Sequence, residues 1–343
     1  MKEKIAIVIL NWNGKHFLEK FLPSVIQHSS GAKIIVADNA STDDSLIFIE
    51  NNYPEIQCIA MTENRGFAGG YNEALQQIDS EFYLLLNSDI EVTENWLDPL
   101  IEVMKDPEVA GCQPKILAFD EKNRFEHAGA SGGYLDANYF PFCRGRIVDQ
   151  FEHDEGQYDN VTEIFWATGA ALLIRADLYH QAGGLDESFF AHMEEIDLCW
   201  RIKKIGKKFL VCPSSKVYHV GGGTLPYQSP RKTFLNFRNS LFMIAKNHEG
   251  WLLPTVFWRM SLDGLAGVRF LFLGEFKQIS AVLKAHLSFY GKLSTLLKQR
   301  KEIQKWSAGH LTNQTGLYSG NILWARYIKG VRKFSDLNQR LFK

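Results

Sequence analysis

Long apolar runs are missing from this 343-residue chain. No stretch of roughly eighteen uncharged apolar residues occurs, so no membrane-spanning helix is expected. Cysteine is sparse: Cys58, Cys112, Cys143, Cys199 and Cys212 are scattered, odd in number and form no close C-x-x-C pair. That argues against a disulfide framework or a zinc knuckle and fits a reducing cytosol. Neither G-x-G-x-x-G nor a Walker pattern follows the first apolar run, which disfavours a dinucleotide dehydrogenase or a P-loop enzyme. There is no internal repeat and no low-complexity segment.

The composition, 45% hydrophobic and 22% charged, is that of an ordinary globular protein. The net charge of -1 hides an asymmetry. Residues 231–343 carry 19 Lys and Arg against 5 Asp and Glu, while residues 1–230 carry 19 against 34. An acidic body with a basic tail is implied, the tail suited to an anionic surface. The start, Met1-Lys2-Glu3-Lys4 followed by Ile5–Leu10, has too short an apolar run for a signal peptide and reads as a buried strand.

Strand and helix patterns then alternate. Helices are expected over Lys15–His28, Ser41–Asn52 (capped by Ser41 or Thr42), Ala68–Ile78, Asn95–Met104 and Glu194–Lys204. Strands are expected over Lys33–Ala37, Ile56–Met61, Phe82–Leu86, Ala171–Arg175 and Lys208–Cys212. Residues 119–160 read as loops and short strands, and the chain after Thr233 as mostly helical to its end. The order βαβαβαβ predicts a mixed, mainly parallel α/β sheet flanked by helices. Ligands of such sheets bind beyond the carboxyl ends of the strands. Those ends carry Asn11-Trp12-Asn13-Gly14, Asp38-Asn39, Glu63-Asn64-Arg65-Gly66 and Asn87-Ser88-Asp89. With no phosphate loop, a diphosphate bound there needs another neutraliser, and a divalent cation on carboxylate is the simplest. Asp89 ends a strongly apolar strand, where an unpaired carboxylate is costly to bury. A turn or cap Asp is the plainer alternative for this residue taken alone.

Taken in order, these pieces resemble glycosyltransferase family 2, whose fold is GT-A. The matching segments are Val8 to Gly14, Asp38 to Asp43, Asn64 to Ala68 with Asn72, Leu86 to Asp89, Gly183 to Phe190, Glu194 to Arg201, His219-Val220-Gly221-Gly222-Gly223-Thr224 and Phe237-Arg238-Asn239-Ser240. They span roughly residues 4–245, most similar to a rhamnosyltransferase-like branch. The resemblance implies a GT-A domain over residues 1–245 and a basic, mainly helical extension over 246–343. It implies a nucleotide pocket lined by Asn11, Asn13, Asp38, Asn64, Gly66 and Gly70. Asn87, Ser88 and Asp89 stand in place of a D-x-D motif, with Asp89 on Mn or Mg and Asn87 offering a neutral oxygen only. His219 is implied near the metal or diphosphate, and Arg238 as an ion-pair or phosphate contact. Arg231 and Lys232 read as surface charge or diphosphate supports, and Trp166 with Thr168-Gly169-Ala170 as acceptor-side lining or core.

Glu194-Glu195 replaces the family's Glu-Asp pair, which implies Glu195 as the general base, while Asp197 either joins it or decorates the helix start. The implied activity is inverting transfer from dTDP-rhamnose or a UDP-hexose to a cell-surface glycan or lipid-linked acceptor. No nucleic-acid partner is expected. The basic helices imply peripheral contact at the inner face of the cytoplasmic membrane, or a homodimer contact. A sugar nucleotidyltransferase and a catalytically inactive nucleotide-sugar-binding protein are the rival readings.

Overall fold

The computed structural model describes residues 3–127, 129–221 and 229–343. Gly222, Gly223 and Thr224 of the expected loop after His219 lie outside these. The first half follows the expected alternation: β1 (Glu3–Asn11), α1 (Lys15–His28), β2 (Lys33–Asp38), α2 (Ser45–Asn52), β3 (Gln57–Ala60), α3 (Gly66–Leu75) and β4 (Ser80–Asn87). Ile5 to Ile9 and Leu84 to Leu86 are buried throughout, as strands covered on both faces require. Helix α1 buries Leu18, Phe21, Leu22 and Val25 along one stripe. Helix α2 starts later than expected. Ser41 and Thr42 bond back to Asn11 and Asn13 rather than capping it, and Asp43 Oδ1 accepts from Ser45 N at 3.1 Å instead.

Beyond Asp89 come β5 (Ile90–Val92), α4 (Leu97–Val103), β6 (Val109–Ala118), β7 (Gly133–Asp136), β8 (Pro141–Cys143), β9 (Arg146–Ile147), β10 (Gln150–Phe151), β11 (Thr162–Ile164), β12 (Ala171–Arg175), α5 (Ala176–Gln181), α6 (Glu194–Lys203) and β13 (Lys208–His219). Among the described residues the main sheet has nine strands in the order β11-β13-β6-β12-β4-β1-β2-β3, with β5 on β13. The pairs β4-β1-β2-β3 and β13-β6 are parallel, while β12 is antiparallel to both β4 and β6. Strand β6 is buried along its whole length although it carries Gln113, Pro114 and Lys115. The Lys115 ammonium is neutralised by Asp154 at 2.7 Å and by Asp159.

The chain closes with α7 (Pro230–Asn247), α8 (Leu252–Phe272), α9 (Phe276–Trp306), β14 (Leu317–Tyr318) and α10 (Ile322–Tyr327). The segment after Thr233 is mostly helical, as expected, with a short strand, the short α10 and irregular chain after Trp306. Strand β14 joins β7 at the edge of a second sheet, ordered β10-β9-β8-β7-β14. Phe334 and Phe342 pack there on Tyr134, Phe142 and Tyr318 with ring centroids 4.8–6.3 Å apart. Among the described residues no helix is long and apolar enough to cross a membrane.

Candidate active site

Strands β1, β2 and β4 run parallel, so Asn11, Asp38 and Asn87 emerge together at one edge, and the loops after them interlock. Asn11 is fully buried; its Nδ2 donates to Asp38 Oδ2 at 2.9 Å and to Ser41 Oγ at 3.2 Å, and its Oδ1 has no partner. Asp38 Oδ1 accepts from Ser41 N at 2.8 Å, so both oxygens of this buried carboxylate are occupied by the protein itself. Asn13, in the left-handed region at φ 51°, accepts at Oδ1 from the backbone N–H of Thr42 and Asp43. Asn64 Oδ1 caps Gly66 N at 2.8 Å and accepts from Asn39 Nδ2 at 3.2 Å. The implied nucleotide-binding side chains thus build the walls of the crevice by holding one another. The two glycines admit protein as well: a Cβ on Gly66 (φ +70°) would lie 2.6 Å from the Phe190 carbonyl oxygen, and one on Gly70 2.8 Å from Leu10 Cδ1.

The end of β4 meets the end of β13. Antiparallel pairing sets His219 opposite Ile90, so its ring lies beside Asp89. His219 Nε2 is 3.1 Å from Asp89 Oδ1 and 3.4 Å from Asn87 Nδ2, and Nδ1 is 3.1 Å from Glu126 Oε2. Asp89, His219 and Glu126 are all buried. Burial alone pushes the imidazole down, but the two carboxylates outweigh it and hold His219 up at about 10. Ser88 Oγ lies near Gly14 and the Asn11 amide, which joins this corner to the nucleotide walls. Glu126 escaped the sequence reading: it sits in the loop-rich segment without a local signature and reaches His219 only through the fold.

The acidic pair opens α6. Asn87 N donates to Ala170 O at 2.9 Å, and a Cβ on Gly169 would lie 3.6 Å from Glu195 Cβ, so the loop 168–170 bridges the Asp89 corner to Glu195. Glu194 Oε2 and Glu195 Oε2 are buried and unpartnered. Burial pushes the Glu195 carboxyl up to about 7; burial and the neighbouring Glu195 charge push Glu194 well above the carboxylate range. Glu195 is therefore poised where a base works near neutrality. The backbone before the pair is strained: Phe190, His192 and Met193 have φ of 64°, 71° and 74°. Asn239 holds it, donating from Nδ2 to the carbonyls of Phe189, Ala191 and His192 at 2.8–3.0 Å.

Three expected site residues have structural work instead. Arg238 donates from Nη2 to the carbonyls of Ser188 and Phe189, both at 2.9 Å, bracing the same loop. Asp197 is fully buried and receives Arg201 Nε and Lys246 Nζ at 2.9 Å and Asn247 Nδ2 at 2.7 Å, which ties α6 to α7 away from the acidic pair. Trp166 is a core residue; its Nε1 donates to Tyr134 O at 3.0 Å and its indole lies over Gly133. Asn239 and Ser240, not Arg238, are the buried members of their segment. A cavity of about 390 Å3 lined by Gln76, Asp79, Tyr83 and His180 opens at the start of β4, the opposite end from Asp89, and gathers none of these groups.

The model of glycosyl transferase family 2 matches residues 6–164, the segment that carries all four crevice strand ends of the first half. That segment is a glycosyl transferase family 2 domain. The chain is similar to the N-acetylglucosaminyl-diphospho-decaprenol L-rhamnosyltransferase of Mycobacterium tuberculosis, 23% identical over 76% of this chain and 90% of that protein. Rhamnosyltransferase WbbL of Escherichia coli is 23% identical over 63% of this chain and 83% of its own length. Among solved structures, GalNAc-T7 with UDP, GalNAc and Mn2+ superposes with a TM-score of 0.61 at 17% identity, over 89% of this chain and 56% of that one. A mannosyltransferase of Pyrobaculum calidifontis with GDP-Man and Mn2+ gives 0.50 at 14% identity, over 90% and 86%. The fold is GT-A, and this family 2 enzyme transfers sugar from a nucleotide sugar.

Both structural relatives contain Mn2+. Here Asp89, His219 and the Asn87 amide converge, but among the described residues no group of three or more His, Cys, Asp and Glu side chains is arranged to hold a metal. Asp89 is the one anionic donor of this corner; His219 would join it only by giving up its ring proton, and a divalent ion there would take its remaining ligands from diphosphate oxygens and water.

Proposed function

We propose that the chain moves a hexose, rhamnose from dTDP-rhamnose or a hexose from a UDP-sugar, to a hydroxyl of a cell-surface glycan or lipid-linked acceptor with inversion. The observation that carries this reading is the pairing, across the 168–170 loop, of the Asp89–His219 corner with an unpartnered Glu195 carboxylate held up at about 7. Asp89 would hold the divalent cation, joined by His219 once that imidazole gives up the proton its two carboxylates keep on it, and the cation would neutralise the diphosphate leaving group. Glu195 takes the proton of the acceptor hydroxyl. The acceptor oxygen then bonds to the anomeric carbon as the bond from that carbon to the diphosphate oxygen breaks, and the diphosphate leaves with the electron pair. Asn11, Asp38 and Asn64 keep the nucleotide walls in register; Asn239, Arg238 and Asp197 position the loop and helix that present Glu195.

The exposed face of α8 and the start of α9 supports peripheral membrane contact. Trp251 is 87% and Phe272 86% exposed, and Leu253, Phe257, Leu265 and Phe276 are exposed with them. Lys277, Lys284 and Lys292 follow on α9. Large apolar side chains beside basic ones suit an anionic bilayer surface.

A thermal-shift screen of dTDP, UDP and GDP with and without Mn2+ tests the donor reading, because a ligand that binds only the native state raises its stability. One diphosphate is expected to raise the melting temperature in a Mn2+-dependent way, and Asp89→Ala to abolish the metal-dependent part. An equal shift with and without Mn2+, or a full shift in Asp89→Ala, refutes the metal corner.

A further inference from the structure

Arg146 opens β9 on the second sheet and is only 7% exposed. A guanidinium is charged at every relevant pH, and a buried charge is normally paired. Six other buried cations follow that rule: Lys115, Arg201, Lys203, Lys204, Lys246 and Arg259 each have a carboxylate within 3.0 Å. Arg144, two residues earlier in the turn between β8 and β9, has no carboxylate partner either among the described residues but places its three guanidinium nitrogens on Ser131 and Asn160. Arg146 differs. Among the described residues it has no carboxylate partner, its Nε has no hydrogen-bond partner, and its Nη2 reaches Cys143 Sγ at 3.9 Å.

A second cation shares the neighbourhood. Lys232 stands in the first turn of α7, whose N-cap is Ser229, accepting from Lys232 N at 3.1 Å. Phe151, paired with Arg146 across β9 and β10, has its ring centroid 6.3 Å from that of His127, and Arg231, the neighbour of Lys232, lies 4.9 Å over the Phe190 ring, two residues before His192; the charges of Arg146 and Lys232 also act on His127, and that of Lys232 on His192. His192 Nε2 is buried and unpartnered, three residues before Glu195. Glu126 feels the same group and reaches His219, the partner of Asp89. The cluster therefore adjoins the Asp89–His219 corner from the side of the second sheet.

We infer that Arg146, together with Lys232 and His192, forms an anion subsite on the acceptor side of the cleft that takes a phosphate or diphosphate group carried by the acceptor. The location of the acceptor side rests on the proposed transfer function; the binding of an anion there does not. A planar guanidinium fork matches phosphate oxygens, and the α7 N-terminus adds its dipole to the same charge. The donor diphosphate is the competing source of the same chemistry.

Isothermal titration with inorganic pyrophosphate in EDTA, on the full chain, reads the subsite without metal and without turnover. Wild type is expected to bind pyrophosphate, Arg146→Met at least tenfold more weakly, and Arg146→Lys in between. Binding is expected to persist in Asp89→Ala and in wild type saturated with Mn2+ and dTDP or UDP. Melting should show Arg146→Met as stable as wild type or more so, because an unpartnered buried charge is removed. Wild-type affinity in Arg146→Met overturns the site; if that variant does not fold, wild-type affinity in Arg146→Lys does so. Loss of pyrophosphate binding on nucleotide saturation assigns the cluster to the donor diphosphate and overturns the acceptor assignment. A failed Mn2+–nucleotide shift with retained pyrophosphate binding would sink the donor reading and leave the subsite standing.

Discussion

Replacing Glu195 by Gln separates catalysis from stability. Burial raises this carboxyl from its ordinary 4.5 to about 7. A raised carboxyl contributes stability that is full below the unfolded-state value and is lost as pH climbs through the folded one. Between those values the unfolded chain ionises while the folded one keeps its proton, at about 1.4 kcal/mol per unit. Wild type therefore loses up to about 3 kcal/mol between pH 4.5 and 7 from this group, less where Glu194 shares the proton. Gln has the same shape and no charge, so Glu195→Gln should be more stable than wild type at pH 8 by up to about 3 kcal/mol and nearly equal to it at pH 4. Its transfer rate should fall by about 10^2–10^4, the usual worth of a positioned base. Wild-type kcat/KM should rise with pH and level off above about 7. Urea unfolding at the two pH values and initial rates measured by nucleotide release check both halves. A variant that transfers at the wild-type rate, or that is less stable than wild type at pH 8, refutes the assignment of Glu195 as an ionised buried base.

Asp197→Ala should cost about 3–5 kcal/mol, because it strips a carboxylate from two buried cations, Arg201 and Lys246; native unfolding stability with lost turnover would instead move Asp197 into the chemistry. Gly66→Ala should destabilise by more than about 1 kcal/mol, from the positive φ and the Cβ contact with Phe190 O, read as a lower urea midpoint at unchanged slope. Trp251, Phe257 and Phe272 replaced together by Ser should abolish co-sedimentation with phosphatidylglycerol vesicles while the donor-induced thermal shift persists; retained vesicle binding refutes the membrane face, and loss of a concentration-dependent dimer instead assigns it to a second copy.

The expected strands ran to within about two residues in the first half because β1, β2 and β4 are continuous apolar runs, and a run buried on both faces announces itself locally. Strand β6 did not, since Gln113, Pro114 and Lys115 interrupt it and the charge is cancelled by aspartates 39 and 44 residues onward. The Asp89–His219 corner was half legible: each residue ended a strand, but the antiparallel β5–β13 pairing that brings them to 3.1 Å is a contact between distant parts of the chain. Arg238 and Asp197 were drawn to the site by motif position, yet which atoms a charged side chain meets depends on packing.

By itself the sequence determined the order of elements up to β4, the polar strand ends and the family resemblance, because these rest on local periodicity and on short motifs. Tertiary structure decided which carboxylates are paired and which are left open. Asp38 and Asp197 are saturated by neighbours, while Glu195 Oε2 and Arg146 Nε are buried without hydrogen-bond partners among the described residues. That division depends on distances between residues far apart in the chain, and the energy of a charge depends on what surrounds it rather than on what flanks it.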